Sequence, residues 1–219
     1  MLVKADMHIH TTHSDGKPSP LEVLMHALEL DIKVVSITDH DTFRGSLEAL
    51  RYASRLGILV VPGVEVRTDK GDILLYCEKE IDFPRSLNKL LEKAHSENCL
   101  VVPAHPFDVA RLGIGETIYE YREWDAIEIW NSSSTRGSNY KAMEAAKILG
   151  KPGLANSDAH ILEEVGVAYT IIEVDELNLE NVLDAIRRDF VKPIFGRRPF
   201  STLVKRASWS VSRILRGGS

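Results

Sequence analysis

ADMHIHTTHSDG, residues 5–16, holds three of the chain's eight histidines and two aspartates, and its reading decides the fold. The run from Leu2 to Ile9 is a predicted β-strand, and side chains two apart on a strand share a face. Asp6, His8 and His10 are therefore expected on one side, with Met7 and Ile9 on the other. Two imidazoles at i, i+2 facing an interior are costly to bury, and a divalent cation satisfies both at once. Chemistry in α/β folds collects at the C-terminal ends of strands. The stretch thus predicts an α/β domain whose first strand ends at a metal centre. Asp15 follows in a loop where Gly16 is expected to permit a tight turn that aims the carboxylate back.

Outward from this strand, short β-branched runs alternate with segments of helical period, the pattern of βα units around a parallel sheet or barrel. Further strands are expected at Lys33–Ile37, Ile58–Val61, Ile73–Cys77, Leu100–Pro103, Ala126–Trp130, Gly153–Ala155 and Tyr169–Val174. The first helix has a capping box, with Ser19 at the N-cap, Pro20 next and Glu22 three residues on. Leu21, Leu24, Met25 and Leu28 recur at i, i+3, i+4, i+7 and are expected to face inward. Other helices are expected over Leu47–Leu56, Ser86–Asn98, Asn139–Leu149 and Leu179–Asp189.

Four more polar clusters fall at predicted strand ends. In SITDHDT (36–42), His40 lies between two aspartates, either of which suits an outer partner for a ligating imidazole. In VPGVEV (61–66), Glu65 sits just past a strand between valines, where a carboxylate needs a partner and is able to bridge two ions. In VVPAHPF (101–107), His105 ends an apolar strand. In LANSDAH (154–160), Asp158 and His160 repeat the i, i+2 spacing. The set His8, His10, Asp15, His40, Glu65, His105, Asp158 and His160 is too large for one ion, since zinc takes three or four protein ligands. It implies two or three divalent ions sharing carboxylates. Nitrogen and oxygen donors without sulfur suit zinc, manganese or iron. His26 and His95 read as helix residues that are on the surface or satisfied in packing, and His13, on the loop beside Asp15, as a structural or substrate-facing residue or else a catalytic one.

The chain has 219 residues and a net charge of −5, with 44% hydrophobic and 27% charged residues. This suits one globular domain. No apolar run approaches the roughly 18 residues of a membrane span, and no signal-peptide core precedes the first strand, so a cytoplasmic protein is expected. Cys77 and Cys99 are far apart and read as buried thiols rather than a disulfide. Charge is uneven: residues 197–219 carry Arg197, Arg198, Lys205, Arg206, Arg213 and Arg216 with no acid, which leaves the first 196 residues at −11. Phe200, Leu203, Val204, Ala207, Val211 and Ile214 fall on one face of a terminal helix. That helix is expected to seal the barrel bottom with its basic residues in solvent, or to serve as a basic arm contacting nucleic acid.

DMHIHTTHSDG, ITDHDT, PGVE, PAHP and NSDAH, in this order, resemble the motifs of the polymerase and histidinol phosphatase (PHP) family of metal-dependent phosphoesterases. The resemblance implies a single-domain distorted (β/α)7 barrel, TIM-like, over residues 1–196, with 197–219 as a basic helix or tail packed on it. It implies a trinuclear site at the strand ends. His8, His10, Glu65 and Asp158 would hold one ion, Glu65 and His105 a second, and Asp15, His40 and His160 the third. Many members place a histidine after the glutamate as another ligand of the second ion. Here the matching position is Asp72, which is either a ligand of shorter reach and added negative charge or a solvated turn residue.

The expected activity is hydrolysis of a phosphate ester by attack of metal-bound hydroxide, with His8, His10, Glu65, His105, Asp158 and His160 catalytic and no protein nucleophile. The absence of a G-x-S-x-G elbow, a Walker A loop and a Rossmann fingerprint agrees with this. Arg44, Arg136 and Asn131 are candidates for contacting substrate, Asn131 because it ends the strand AIEIWN. The substrate is expected to be a nucleotide, a short oligonucleotide or a small phosphomonoester or diester, histidinol phosphate included. The rival readings are an amidohydrolase-type metal hydrolase and a non-catalytic metal-binding module accessory to nucleic-acid enzymes.

Overall fold

The computed structural model describes residues 1–215, so Arg216 lies outside the described residues. Ten strands and six α-helices alternate as β1 (Leu2–Ile9), α1 (Pro20–Glu29), β2 (Ile32–Ile37), α2 (Arg44–Leu56), β3 (Leu59–Val60), β4 (Gly63–Arg67), β5 (Asp72–Tyr76), α3 (Leu87–Ser96), β6 (Leu100–Pro103), β7 (Ile127–Asn131), α4 (Arg136–Leu149), β8 (Gly153–Asn156), β9 (Tyr169–Glu173), α5 (Leu179–Arg187), β10 (Val191–Ile194) and α6 (Phe200–Leu215). The α/β class is as expected. The closed (β/α)7 ring is not observed among the described residues, because the strands form three sheets in the orders β10-β9-β1-β2-β3, β4-β5-β6 and β7-β8. β1, β2 and β3 run parallel, as do β7 and β8, whereas β4, β5 and β6 pair antiparallel and β9 pairs antiparallel with β1 and β10. A hairpin joins β4 to β5 with no helix between, which breaks the βα alternation.

The sheets are stitched together at their mouth, where candidate ligands sit. β2 meets β4 where Asp41 N donates to Glu65 O (2.9 Å). β6 meets β7 where His105 N donates to Glu128 Oε2 (2.7 Å). β8 meets β1 where His10 N donates to Ala159 O (2.8 Å). A buried backbone group needs a partner, and at these seams the ligand-bearing residues satisfy one another.

Three local findings correct the sequence expectations. First, β1 is irregular: Asp6 to Ile9 is opposed by only Val35 to Ile37 on β2. Val3, Ala5 and Met7 pack into the central core with Leu74, Tyr76 and Val102, while Ile9 packs outward with Val23 and Leu24. The extra residue of this bulge turns His8 and His10 away from the face of Asp6, as bulges beside active sites re-aim side chains. Second, β5 and β6 pair with Tyr76 opposite Leu100. Their flanking residues Cys77 and Cys99 thereby meet and form a disulfide rather than standing as two thiols. Third, β4 and β10 are strands that the sequence reading did not include; Pro193 is tolerated because β10 is an edge strand.

The capping box of α1 is present, with Glu22 N donating to Ser19 Oγ and Ser19 N donating to Glu22 Oε2. Its buried face is Pro20, Val23, Leu24 and Ala27, whereas Met25 is 53% exposed and Leu28 is also exposed. The spacing was right and the face was one position off. Helix α6 is placed at the mouth, not the bottom. Phe200 is 81% exposed, and Leu203, Val204 and Val211 are exposed too, while Thr202 is buried and Arg206 is largely withdrawn from solvent. The Ile214 side chain lies outside the described residues.

Candidate metal centre

β1, β4 and the segments just after β1, β2, β6 and β8 bring seven of the eight candidate ligands together with His10 at their centre, and Asp15 joins them from the loop after β1. His10 Nε2 lies 3.1 Å from His8 Nε2, 3.2 Å from Glu65 Oε2 and 3.4 Å from Asp158 Oδ1. Its other nitrogen is 3.6 Å from Asp15 Oδ1. Asp15 Oδ1 in turn stands 3.7 Å from His40 Nε2 and 3.3 Å from His160 Nε2. Glu65 Oε2 is 3.1 Å from His40 Nδ1, and Glu65 Oε1 is 3.0 Å from His105 Nε2. Glu65 therefore projects inward from the middle of β4 rather than from beyond a strand.

Four overlapping groups have donor atoms close enough to share an ion: His10, Asp15, His40 and His160; His8, His10 and Glu65; His8, His105 and Asp158; and His40, Glu65 and Asp72. Asp72, 2% exposed, thus stands within reach of the cluster, with Arg67 Nε 3.4 Å from its Oδ1. Seven buried side-chain atoms have no hydrogen-bond partner among the described residues, and six of them belong to this cluster: His10 Nδ1, Asp15 Oδ1, His40 Nδ1, Glu65 Oε2, His105 Nδ1 and Asp158 Oδ1, the seventh being Ser134 Oγ. Leaving one such group unpaired costs about 1–3 kcal/mol, more if charged. A converging set of this kind fits divalent cations, whose charge these donors are suited to take.

Protonation follows the same crowding. Burial disfavours the His10 cation, but the nearby carboxylates of Asp158, Glu65 and Asp15 raise its pKa to about 9. Burial and the neighbouring His10 charge push His160 down to about 3. Their ring centroids are 4.2 Å apart, so a charge on one ring disfavours a charge on the other. Burial opposes the Asp158 carboxylate, and Arg111 and His8 nevertheless hold it well below its ordinary range. Burial and Glu65 lift Asp72 to about 6.

A layer beneath the ligands holds them in place. Glu128, fully buried in β7, accepts from His8 Nδ1 (2.9 Å) and Asn156 Nδ2 (2.9 Å) through Oε1, and from His105 N and Asn131 Nδ2 (3.0 Å) through Oε2. Such a carboxylate fixes the imidazole tautomer and leaves His8 Nε2 for a cation. Asn131 also donates to Asp158 Oδ2 (3.0 Å), so it positions a ligand instead of lining the mouth. A bulge in β7 allows this: Glu128 and Trp130 face Leu154 and Ala155, which turns both Glu128 and Asn131 inward. Glu128 was missed although it stands between Ile127 and Ile129, the same signal that singled out Glu65.

Other partners differ from expectation. Asp39 does not hold His40; it accepts from Thr11 N (2.7 Å), Thr11 Oγ1 (2.6 Å) and Ser14 Oγ (2.6 Å), bracing the loop that carries Asp15. Gly16 is needed there for close approach, since a Cβ would lie 2.2 Å from His10 O. Asp6 accepts from Ser157 N and Gly166 N, under the Asp158 loop. His13 pairs with Glu48 (2.7 Å), and His26 and His95 pair with surface carboxylates. His105 and Asp158 have φ of 31° and 53°, left-handed conformations that cost non-glycine residues about 1–3 kcal/mol and cluster at functional sites.

A cleft of about 220 Å³ opens onto the cluster, lined by Asp15, His40, Asp72, His105 and His160 together with Arg67, Arg111 and Arg206. Arg44 and Arg136, at the starts of α2 and α4, are exposed and do not line it. The cleft arginines come from a strand end, the short 3-10 helix Val109–Arg111 and α6. Arg111 pairs with Asp158. No sequence signal separates these arginines from other loop arginines.

The family described as PHP domain matches residues 6–126, and the one described as PHP-associated matches residues 136–190. An uncharacterized protein of Methanocaldococcus jannaschii is 31% identical over 142 residues, covering 59% of this chain and 82% of its own. A 5'-3' exoribonuclease of Haemophilus influenzae is 41% identical over 69 residues, covering 32% of this chain but only 25% of the nuclease. Among solved structures, a two-domain Bacteroides vulgatus protein, described as containing a predicted PHP-like metal-dependent phosphoesterase, has a TM-score of 0.74 at 17% identity, covering 90% of this chain and 65% of its own. No described helix is long and apolar enough to cross a membrane.

Proposed function

From the premise that the chain belongs to the PHP domain family, we propose that it is a metal-dependent phosphoesterase acting on a terminal phosphate ester of a nucleotide, short oligonucleotide or small metabolite. The observation that carries this is a cluster with six unpaired buried donor and acceptor atoms that reaches, through Asp15, His40 and His105, a cleft lined by three arginines. Cation-binding groups beside guanidinium forks suit the charge and shape of a phosphoryl group. The catalytic set is His8, His10, Glu65, His105, Asp158 and His160, within residues 1–196, with 197–219 packed on that unit. His8, His10, Glu65 and Asp158 would hold one cation; Glu65, His105 and Asp72 a second; Asp15, His40 and His160 a third. Bound divalent zinc, manganese or iron would polarise the phosphoryl oxygens and make water a nucleophile near neutral pH.

The chain's own residues supply orientation. Glu128 fixes His8 and the backbone of His105, Asn131 holds Asp158, and Asp39 holds the Asp15 loop. Arg111 and Arg67 bring positive charge to the cleft while each neutralises one carboxylate. A cleft of about 220 Å³ is below the ~300–1,000 Å³ that encloses a drug-sized ligand, which favours end-on entry of a phosphate. The test is a panel of a phosphomonoester, a phosphodiester and a 5'-phosphorylated oligonucleotide with Mn²⁺ or Zn²⁺. Turnover of the first or third is expected. No hydrolysis of any, with metal content verified, overturns the reading.

A further inference from the structure

Helix α6 lies beyond residue 190, where the second family match ends, and still reaches the cleft. Its docking face is polar. Arg206 Nη1 donates to Ser133 Oγ (3.1 Å), Asp158 O (3.2 Å) and Glu164 Oε2 (3.1 Å). Trp209 Nε1 donates to Asp15 O (3.0 Å), on the loop that carries a ligand. Glu164 is fully buried; it also accepts from His160 N (2.9 Å) and from Arg198 Nη1 (2.7 Å). Arg198 further donates to Ser132 O and Ser133 O. One carboxylate thus joins a ligand's backbone to two arginines from the C-terminal segment.

The charge count at the cleft is uneven. Arg111 is matched by Asp158 and Arg67 by Asp72, each one to one. Arg198 and Arg206 share the single Glu164. Arg206, which has only half of that carboxylate, lines the cleft. Among the described residues, its Nη1 makes three hydrogen bonds while Nε and Nη2 make none. A guanidinium anchored by one nitrogen and open at the others is preorganised to grip an oxyanion.

We propose that α6 is a wall of the active site, in which Arg206 binds a non-bridging oxygen of the substrate phosphoryl group and Trp209 steadies the Asp15 loop. This rests on the phosphoesterase reading for the identity of the anion. The test uses full-length, Mn²⁺-loaded protein and inorganic phosphate as the probe, measured by calorimetry, with metal content and melting temperature read on the same samples. Arg206→Ala is expected to weaken phosphate binding by at least tenfold while metal content is unchanged. Arg206→Lys, which keeps the charge and loses the fork, is expected to weaken it several-fold. Lys205→Ala, which removes an exposed pair with Glu163 on the same helix, is expected to change it less than twofold.

Phosphate affinity at the wild-type level in Arg206→Ala overturns the proposal. So does a lower melting temperature with unchanged affinity in the folded, metal-loaded fraction, which would make Arg206 a latch only. Should Arg206→Ala not fold, Arg206→Lys decides, and unaltered phosphate affinity in that variant overturns the proposal equally. The two readings fail separately. If the Arg206 variants lose phosphate affinity but no ester in the substrate panel is hydrolysed, the activity is wrong and the anion site stands. If esters are hydrolysed and phosphate affinity ignores Arg206, the reverse holds.

Discussion

Strand β1 and helix α6 come to the same cleft from opposite ends of the chain, and they do so by opposite means. β1 is buried from Ala5 onward and delivers two imidazoles through a bulge. α6 leaves an apolar row in solvent and delivers an arginine from its polar face. Burial is the difference that matters. A histidine at 0% exposure needs a partner and so announces a site, whereas an arginine on a half-exposed helix is chemically ordinary until its neighbours are known. On the proposed reading β1 holds metal and α6 holds substrate, and that division can be broken by experiment.

The largest effect is expected from His10→Ala. His10 belongs to two of the four candidate ligand groups and lies at hydrogen-bonding or near-contact range of Glu65, Asp158 and Asp15. Its loss should lower metal affinity by more than the ~10–100-fold typical of losing an outer partner, and phosphoester turnover should fall in parallel. Metal analysis after dialysis checks the first and a phosphomonoester assay the second. Full activity with full metal content would remove β1 from the metal centre.

Glu128→Gln comes next. The amide could still accept from His105 N, but it presents an NH₂ to some of the four donors that now converge on the carboxylate. Metal affinity is expected to fall about 10–100-fold, with little change in phosphate binding once metal is saturating. A loss of phosphate affinity equal to that of the Arg206 variants would blur the division between the two regions.

How much of this was legible depended on the same contrast in burial. The α/β class, the capping box of α1 and the convergence of the eight candidate donors could be read because each rests on a residue type whose position is physically constrained. The bulges in β1 and β7 could not, since a one-residue shift in register leaves composition and local pattern unchanged. Asp6 was accordingly grouped with His8 and His10, although it holds Ser157 and Gly166 instead. The α6 stripe of Phe200, Leu203, Val204 and Val211 was read as a buried face by the usual rule; the hydrogen bonds of Arg206 to Glu164 and of Trp209 to Asp15 set the opposite orientation.

A pH titration sharpens the β1 half further. In the metal-free protein the His10 pKa is raised to about 9, so at pH 7 this imidazole carries a proton that a cation must displace. Metal affinity should therefore rise with pH from 6 to 8, by on the order of tenfold per unit for each proton released. Calorimetry in two buffers of different ionisation enthalpy counts those protons. Near-zero proton release at pH 7 would mean that the carboxylates do not hold His10 in its charged form. α6 should be indifferent over this range, because its arginines stay protonated.

The smallest effect is expected where sequence alone suggested substrate contacts, at Arg44 and Arg136. Both are loop-to-helix arginines, as plausible on paper as Arg111, and neither lines the cleft. Arg44→Ala and Arg136→Ala should each change kcat/KM less than about twofold and stability by less than ~0.5 kcal/mol, as for surface positions away from structural features. If either lowers kcat/KM tenfold with metal content intact, substrate reaches well beyond the cleft, toward the start of α2 or α4. The end-on entry argued from the cleft's size would then give way to an extended substrate such as an oligonucleotide lying across the mouth.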